Sequence, residues 1–151
     1  MFSHLLIPLD GSEMAEAALA PAKALAEKFG SKMTLVRIID LPRARQMAQA
    51  SSRDTLLDDI RREQFAEASG YMKGKLAELM MEGVDVRTQL VESDAAAMAI
   101  LETVEKLGVT TVVMSTHGRG GLTRLIFGSV AEKVLRQCTI PVVLIRNSEP
   151  A

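Results

Sequence analysis

The stretch that most constrains the fold is residues 110–146, in which two apolar runs flank a glycine-rich turn and a helix. It reads TTVVMSTHGRGGLTRLIFGSVAEKVLRQCTIPVVLIR. The runs at 111–114 and 141–145 are short and rich in β-branched residues, which predicts strands buried on both faces. The glycine-dense turn at 117–121 follows the first strand, and a helix is predicted from Ser129. This order of elements is a βαβ unit, whose two strands must be parallel.

Three earlier apolar runs extend the same alternation of strands and helices. Strands are predicted at 4–9, 33–39 and 84–91, and the alternating pattern of the last one indicates an edge strand. The helices between them are predicted to end at Gly30, Gly83 and Gly108. Five strands separated by helices predict a single doubly wound parallel α/β sheet with helices on both faces. We assign residues 1–147 to one domain and 148–151 to a tail.

Several local features make the helix predictions more specific. Pro21 falls inside the first helical pattern, and we predict that the helix continues through it to an inward-facing Phe29. Gly70 and Gly74 lie one turn apart in the predicted helix 55–81, where they either weaken it locally or permit close approach of another backbone. A cap at residues 93–94 is predicted for the third helix. The segment 43–53 is interpreted as irregular or weakly helical.

Composition excludes several classes of protein. A net charge of −1, 3% aromatic residues and no tryptophan argue against a nucleic-acid-binding protein. No apolar run approaches the length of a membrane span and no leader precedes the first strand, so we expect a soluble cytoplasmic protein without membrane contact. The single Cys138 fits a reducing compartment and lies on the apolar face of its helix, which indicates a core residue.

Ligands of open α/β sheets bind beyond the carboxyl ends of the strands. Here that rule selects residues 10–12, 39–40 and 115–121. The chain has neither GxxxxGK[ST] nor GxGxxG, which excludes a P-loop and a dinucleotide fingerprint. A response-regulator receiver is also disfavoured, since Leu9 stands where an acidic pair is needed and Arg146 ends the last strand.

The residues alone leave two interpretations of the glycine loop open. Gly118 and Gly128 can present bare N–H groups to a phosphate, and Ser129 adds a hydroxyl at the positive end of the helix dipole. Asp10 would then bind a ribose hydroxyl or Mg²⁺. Alternatively the turn is ordinary and Ser129 caps its helix in an S-x-x-E capping box with Glu132.

Catalytic groups are scarce in this sequence. His117 is more readily explained as a structural residue that bonds to backbone than as a general base, and no Ser/His/Asp or Cys/His pair can be assigned. We therefore expect a protein that is not an enzyme, or one with at most slow ATP hydrolysis.

The segment 115–130 resembles the universal stress protein family. The family pattern is Gly-x2-Gly-x9-Gly-[Ser/Thr] after a buried strand, and Gly118 followed by nine residues and Gly128-Ser129 matches it. The opening residues 7–12, IPLDGS, are similar too, so the resemblance covers the whole chain. Ser115 occupies the position of the family's first glycine, which puts a side chain where the backbone would approach the ribose and phosphate.

The resemblance implies a fold, a ligand and an assembly. The fold has strand order 3-2-1-4-5, the ligand is ATP, ADP or AMP, and the assembly is a homodimer through the last strand at 141–146; Mg²⁺ at Asp10 remains the option given by the chemistry of that carboxylate. By similarity, residues 8–10 contact ribose and phosphate, Ile38 or Ile39 meets adenine through its backbone, and the glycine loop cradles phosphates. The predicted contact residues are Pro8, Leu9, Asp10, Ile38, Ile39, Ser115, His117, Gly118, Arg119, Gly128, Ser129 and Val130.

Two functions follow from these expectations. The first is an adenine-nucleotide-binding module that acts as a cytoplasmic homodimer in a stress response. The second is a dimeric interaction or regulatory protein of the same fold that binds no nucleotide.

Overall fold

The computed structural model describes residues 1–40, 54–117 and 127–147, with the side chains of the long helix described from 57 onward. Its strands form one sheet: β1 (His4–Leu9), β2 (Lys32–Asp40), β3 (Val86–Ser93), β4 (Thr111–Ser115) and β5 (Val142–Ile145). The helices are α1 (Glu13–Glu16), α2 (Leu19–Phe29), α3 (Asp54–Met81), α4 (Ala96–Leu107) and α5 (Ser129–Gln137). All pairings are parallel and the order is β3-β2-β1-β4-β5, which confirms the predicted fold class and strand order.

The two faces of the sheet carry two separate hydrophobic cores. Successive residues of β1 point to opposite faces, so Leu5 and Ile7 join one core and Leu6 joins the other. The first core packs against α1, α2 and α3, and the second packs against α4 and α5. Leu5, Leu6 and Ile7 are completely buried, as expected for a central parallel strand that is covered on both sides.

Pro21 interrupts the first predicted helix, and the prediction of one continuous helix is wrong. α1 ends at Glu16 and α2 begins at Leu19, with residues 17–18 forming a turn that keeps right-handed backbone angles; Pro21 is the third residue of α2. The first N–H groups of a helix have no intrahelical acceptor, so proline loses no hydrogen bond there. In the interior of a longer helix its ring would clash with the preceding turn.

Three further predictions differ from the structure. Phe29 is not an inward residue: 53% of it is exposed, and its ring stacks on that of Phe2 with centroids 4.9 Å apart. The N-cap position of α4 is occupied by Ala95 and not by residues 93–94: Ser93 still belongs to β3, and its hydroxyl accepts from the Ala95 N–H at 3.0 Å. The edge position of β3 is confirmed, although the strand starts at Val86 and not at 84.

The structure describes neither the segment 43–53 nor the tail 148–151, so the predictions made for them lie outside the described residues. Among the described helices, none has both the length and the apolar character needed to cross a membrane.

The glycines fall into two structural types. Gly70 and Gly74 are exposed in α3 and no atom lies within 4 Å of where their Cβ would be, so the close-approach interpretation is wrong. Gly11 is different, because its φ is +83° and a Cβ there would lie 2.7 Å from Nη1 of Arg37. The turn after β1 therefore requires glycine for both backbone and packing reasons.

Alanine substitutions should separate these types. Gly11→Ala forces a left-handed conformation on a residue with a Cβ and should lower the free energy of unfolding by roughly 1–2 kcal/mol. Gly70→Ala is the control and should raise it by about 0.5–1 kcal/mol. Urea denaturation measures both, and equal effects of the two substitutions would contradict the assignment.

Candidate functional site

A cleft of about 960 Å³ opens at the carboxyl ends of β1, β2 and β4. Its size is that of a small-molecule or cofactor site. Every predicted contact residue that the structure describes lines this cleft: Pro8, Leu9, Asp10, Ile38, Ile39, Ser115, His117, Gly128, Ser129 and Val130. Gly118 and Arg119 lie outside the described residues. Residues from four separate stretches of the chain are thus brought together where the parallel-sheet rule expects a ligand.

The turn after β1 is held by a compact set of hydrogen bonds. Oδ1 of Asp10 accepts from the backbone N–H of Ser12 at 2.9 Å and from its hydroxyl at 2.5 Å. The Ser12 hydroxyl oxygen in turn accepts from the Ala15 N–H at 3.2 Å, which caps α1. These bonds fix the Asp10 carboxylate at the mouth of the cleft.

The amino end of α5 forms the opposite wall. Gly128 is the cap residue, its N–H donates to the Thr116 carbonyl at 2.5 Å, and a Cβ there would lie 3.1 Å from that oxygen. Ser129 is exposed and is the first helical residue, so it does not occupy the N-cap position that a capping box requires. The capping-box interpretation of Ser129 is therefore wrong, and the first N–H groups of α5 face the cleft without intrahelical acceptors.

The end of β4 carries Ser115 and His117. Ser115 is 5% exposed, and its hydroxyl donates to Oδ1 of Asn147 at 3.2 Å. Nδ1 of His117 lies 3.0 Å from the hydroxyl oxygen of Thr116. The Ser115 hydroxyl is thus hydrogen-bonded within the chain, and the residue still lines the cleft.

Arg37 is the main cleft residue that sequence reasoning missed. It lies on β2 with only 5% of its side chain exposed, and its Nη2 donates to Oε2 of Glu67 on α3 at 2.9 Å. Its guanidinium carbon stands 5.3 Å from the ring centre of Tyr71. The sequence did contain a signal, since an arginine inside the apolar run 33–39 has no exposed face to occupy if that strand is central.

The charged side chains on the described walls of the cleft are mostly acidic. Arg37 is the one arginine or lysine among the described lining residues, whereas the carboxylates there are Asp10, Asp40, Glu63, Glu67, Asp94 and Glu132. The described part of the chain holds no group of three or more His, Cys, Asp or Glu side chains that could bind a metal ion by themselves. A divalent cation at Asp10 would therefore need further ligands from a bound phosphate, as Mg²⁺ often takes.

A polar network behind Arg37 joins α1, α3 and β2. The Tyr71 hydroxyl donates to Oε1 of Glu16 at 2.6 Å, and Nζ of Lys75 lies 3.2 Å from Oε2 of the same carboxylate. Burial, followed by the hydrogen bond to Glu16 and the charge of Glu16, raises the pKa of Tyr71 above the ordinary value of a phenol. The network holds the neutral phenol and Arg37 in one arrangement at the edge of the cleft.

Comparison with known proteins places this fold and cleft in context. The model of the universal stress protein family matches residues 1–146. Universal stress protein MJ0531 of Methanocaldococcus jannaschii is 30% identical over 147 residues, which cover 97% of this chain and 84% of that protein. Protein MJ0577 of the same organism has been solved and superposes with a TM-score of 0.88 at 25% identity, covering 99% of both chains. A universal stress protein in complex with cAMP superposes at 0.61 with 19% identity, covering 97% of this chain and 98% of the other.

Because Tyr71 is the only tyrosine in the chain, its titration can be followed separately and reports on the polar network. Because the folded state raises the pKa of Tyr71, its contribution to stability is complete below about pH 10, the unfolded pKa, and should be lost as the pH rises further. Glu16→Gln removes the negative charge and should lower that pKa, as followed by phenolate absorbance. Glu78→Gln is the control, because Glu78 pairs with Lys75 and makes no hydrogen bond to Tyr71. An unshifted titration in Glu16→Gln would contradict the network.

Proposed function

Because the chain belongs to the universal stress protein family, we propose that its cleft binds an adenine nucleotide, ATP, ADP or AMP. The observation that carries the proposal is that the described contact residues, predicted from separate stretches of sequence, all line one cleft. A protein of the same fold in complex with cAMP supports an adenine ligand. In this proposal the bound nucleotide acts as a signal in a cytoplasmic stress response.

The parts of a nucleotide match the parts of the cleft. The uncapped amino end of α5, with Gly128 and Ser129, offers N–H groups and a hydroxyl to a phosphate. Asp10 at the end of β1 accepts from a ribose hydroxyl or holds Mg²⁺, and Ile38 or Ile39 meets the base through its backbone. Gly118 and Arg119 of the family pattern complete the phosphate contacts in this proposal.

The carboxylates in the cleft favour binding of a polyphosphate together with Mg²⁺ over binding of the polyphosphate alone. Carboxylates such as Asp10 and Glu132 line the cleft and repel the charge of ATP, and Arg37 offsets one of those charges. A divalent cation bound by Asp10 and the phosphates would neutralise several charges at once. We therefore propose that ATP binds more tightly with Mg²⁺ than with EDTA present.

A second candidate function is favoured by Ser115. Its Cβ and hydroxyl stand at the position of the family's first glycine and line the cleft. If they obstruct the ribose and phosphate, the chain is a dimeric regulatory protein that binds partners and no nucleotide.

Calorimetric titration with ATP and Mg²⁺ tests the two functions. The unmodified protein should bind ATP, and Ser129→Ala should weaken binding about tenfold, because a hydrogen bond to a charged phosphate is lost. Ser69→Ala is a matched control on α3, outside the cleft. Absence of ATP binding by the unmodified, folded protein would reject the first function in favour of the second.

We further propose a homodimer through residues 141–146. β5 is an edge strand, and its side chains are half-exposed, a combination that natural proteins commonly cover. Sedimentation should give twice the chain mass of 16.4 kDa. Val143→Arg places a charge in this strand and should shift the protein to monomer while circular dichroism stays native. A monomeric unmodified protein at micromolar concentration would contradict the proposal.

A further inference from the structure

Two buried polar atoms in the cleft have no hydrogen-bond partner in the part of the chain that the structure describes. They are Nη1 of Arg37, on β2, and Oε1 of Gln64, on α3. Both residues line the cleft. A buried donor or acceptor without a partner costs free energy, so a ligand that supplied the missing bonds to both residues would be favoured.

The guanidinium of Arg37 is held in place and has limited freedom to turn elsewhere. Nη2 is bound to Glu67, and the Tyr71 ring lies beside the guanidinium carbon. Gln64 precedes Glu67 by three residues on α3, so the two side chains lie on neighbouring positions of one helix face. Glu67 and Tyr71 thus restrain the guanidinium while Nη1 stays without a partner, and Gln64 lies one helical turn from the residue that pairs with Arg37.

The surrounding charges disfavour an anion at this place. Asp10, Glu63 and Glu67 line the same cleft, and Glu67 already pairs with Arg37. A phosphate next to them would meet like charges, whereas a neutral group that accepts one hydrogen bond and donates another would not. The aliphatic side chains of Ile60 and Ala68 line the cleft from α3 as well, which suits the flat face of a heterocycle.

We propose that Arg37 and Gln64 read the edge of the nucleotide's base with their side chains. Nη1 of Arg37 donates to a ring nitrogen, and Oε1 of Gln64 accepts from the exocyclic amine, which is the only N–H donor of an adenine base. This inference rests on the proposed nucleotide binding and adds to it the residues that select the base.

Analogues of ATP that lack single base atoms test this assignment by calorimetry. 6-desamino ATP lacks the exocyclic amine, and the unmodified protein should bind it roughly tenfold more weakly than ATP. Of the 1-, 3- and 7-deaza analogues of ATP, the one that lacks the ring nitrogen bonded to Arg37 should also bind roughly tenfold more weakly. Arg37→Met should weaken ATP binding and erase the penalty for that deaza analogue. Gln64→Met should erase the penalty for the missing amine.

Lys75→Met is the control variant, because Lys75 lies 5.9 Å from the centre of the same Tyr71 ring but does not line the cleft. It should keep both penalties. Glu67 is 54% exposed, so solvent can hydrate its carboxylate when Arg37 is replaced and the variant should fold; urea denaturation checks this.

The outcomes separate the two proposals. Failure of the unmodified protein to bind any of these nucleotides overturns both the proposed function and the base contact. Binding of ATP with analogue penalties that persist in Arg37→Met and Gln64→Met overturns the base contact alone. The base contact is supported if Arg37→Met removes the deaza penalty, Gln64→Met removes the desamino penalty, and Lys75→Met keeps both.

Discussion

Burial of the parallel sheet on both faces is the constraint on which the rest of the structure depends. Parallel strands cannot be joined by tight hairpins, so each connection must cross a face of the sheet, and here the crossings carry helices. The helices bury the apolar side chains of β1 in two cores. All strands consequently end at the same edge, where turns distant in sequence enclose one cleft.

The amino end of α5 and the network around Arg37 give that cleft two chemically different ends. One end offers backbone N–H groups next to Gly128, which suit a phosphate. The other part contains the buried guanidinium of Arg37 among carboxylates, with the Tyr71 phenol packed behind it, and this suits an uncharged polar group. A nucleotide joins an anionic chain to a neutral heterocycle, so its own asymmetry matches that of the cleft.

Sequence reasoning succeeded where a local pattern determines the structure. The apolar run 4–9 predicted β1 to the residue, and Gly30 and Gly108 both end their helices in the left-handed conformation. It failed where distant contacts decide. The role of Arg37 depends on Glu67 and Tyr71, which are 30 or more residues away. Phe29 was predicted to face inward, but in the structure its ring stacks on that of Phe2. The break before Pro21 was readable in principle from the missing N–H.

The contact between Gly11 and Arg37 makes the residues tolerated at position 11 depend on the residue at position 37. A residue such as asparagine tolerates a positive φ, but its Cβ would still meet the guanidinium. Loss of Arg37 removes the steric conflict while the φ of +83° remains. The cost of a substitution at position 11 therefore depends on the residue at position 37: shortening Arg37 removes the steric part of that cost, and the part that arises from the left-handed backbone remains.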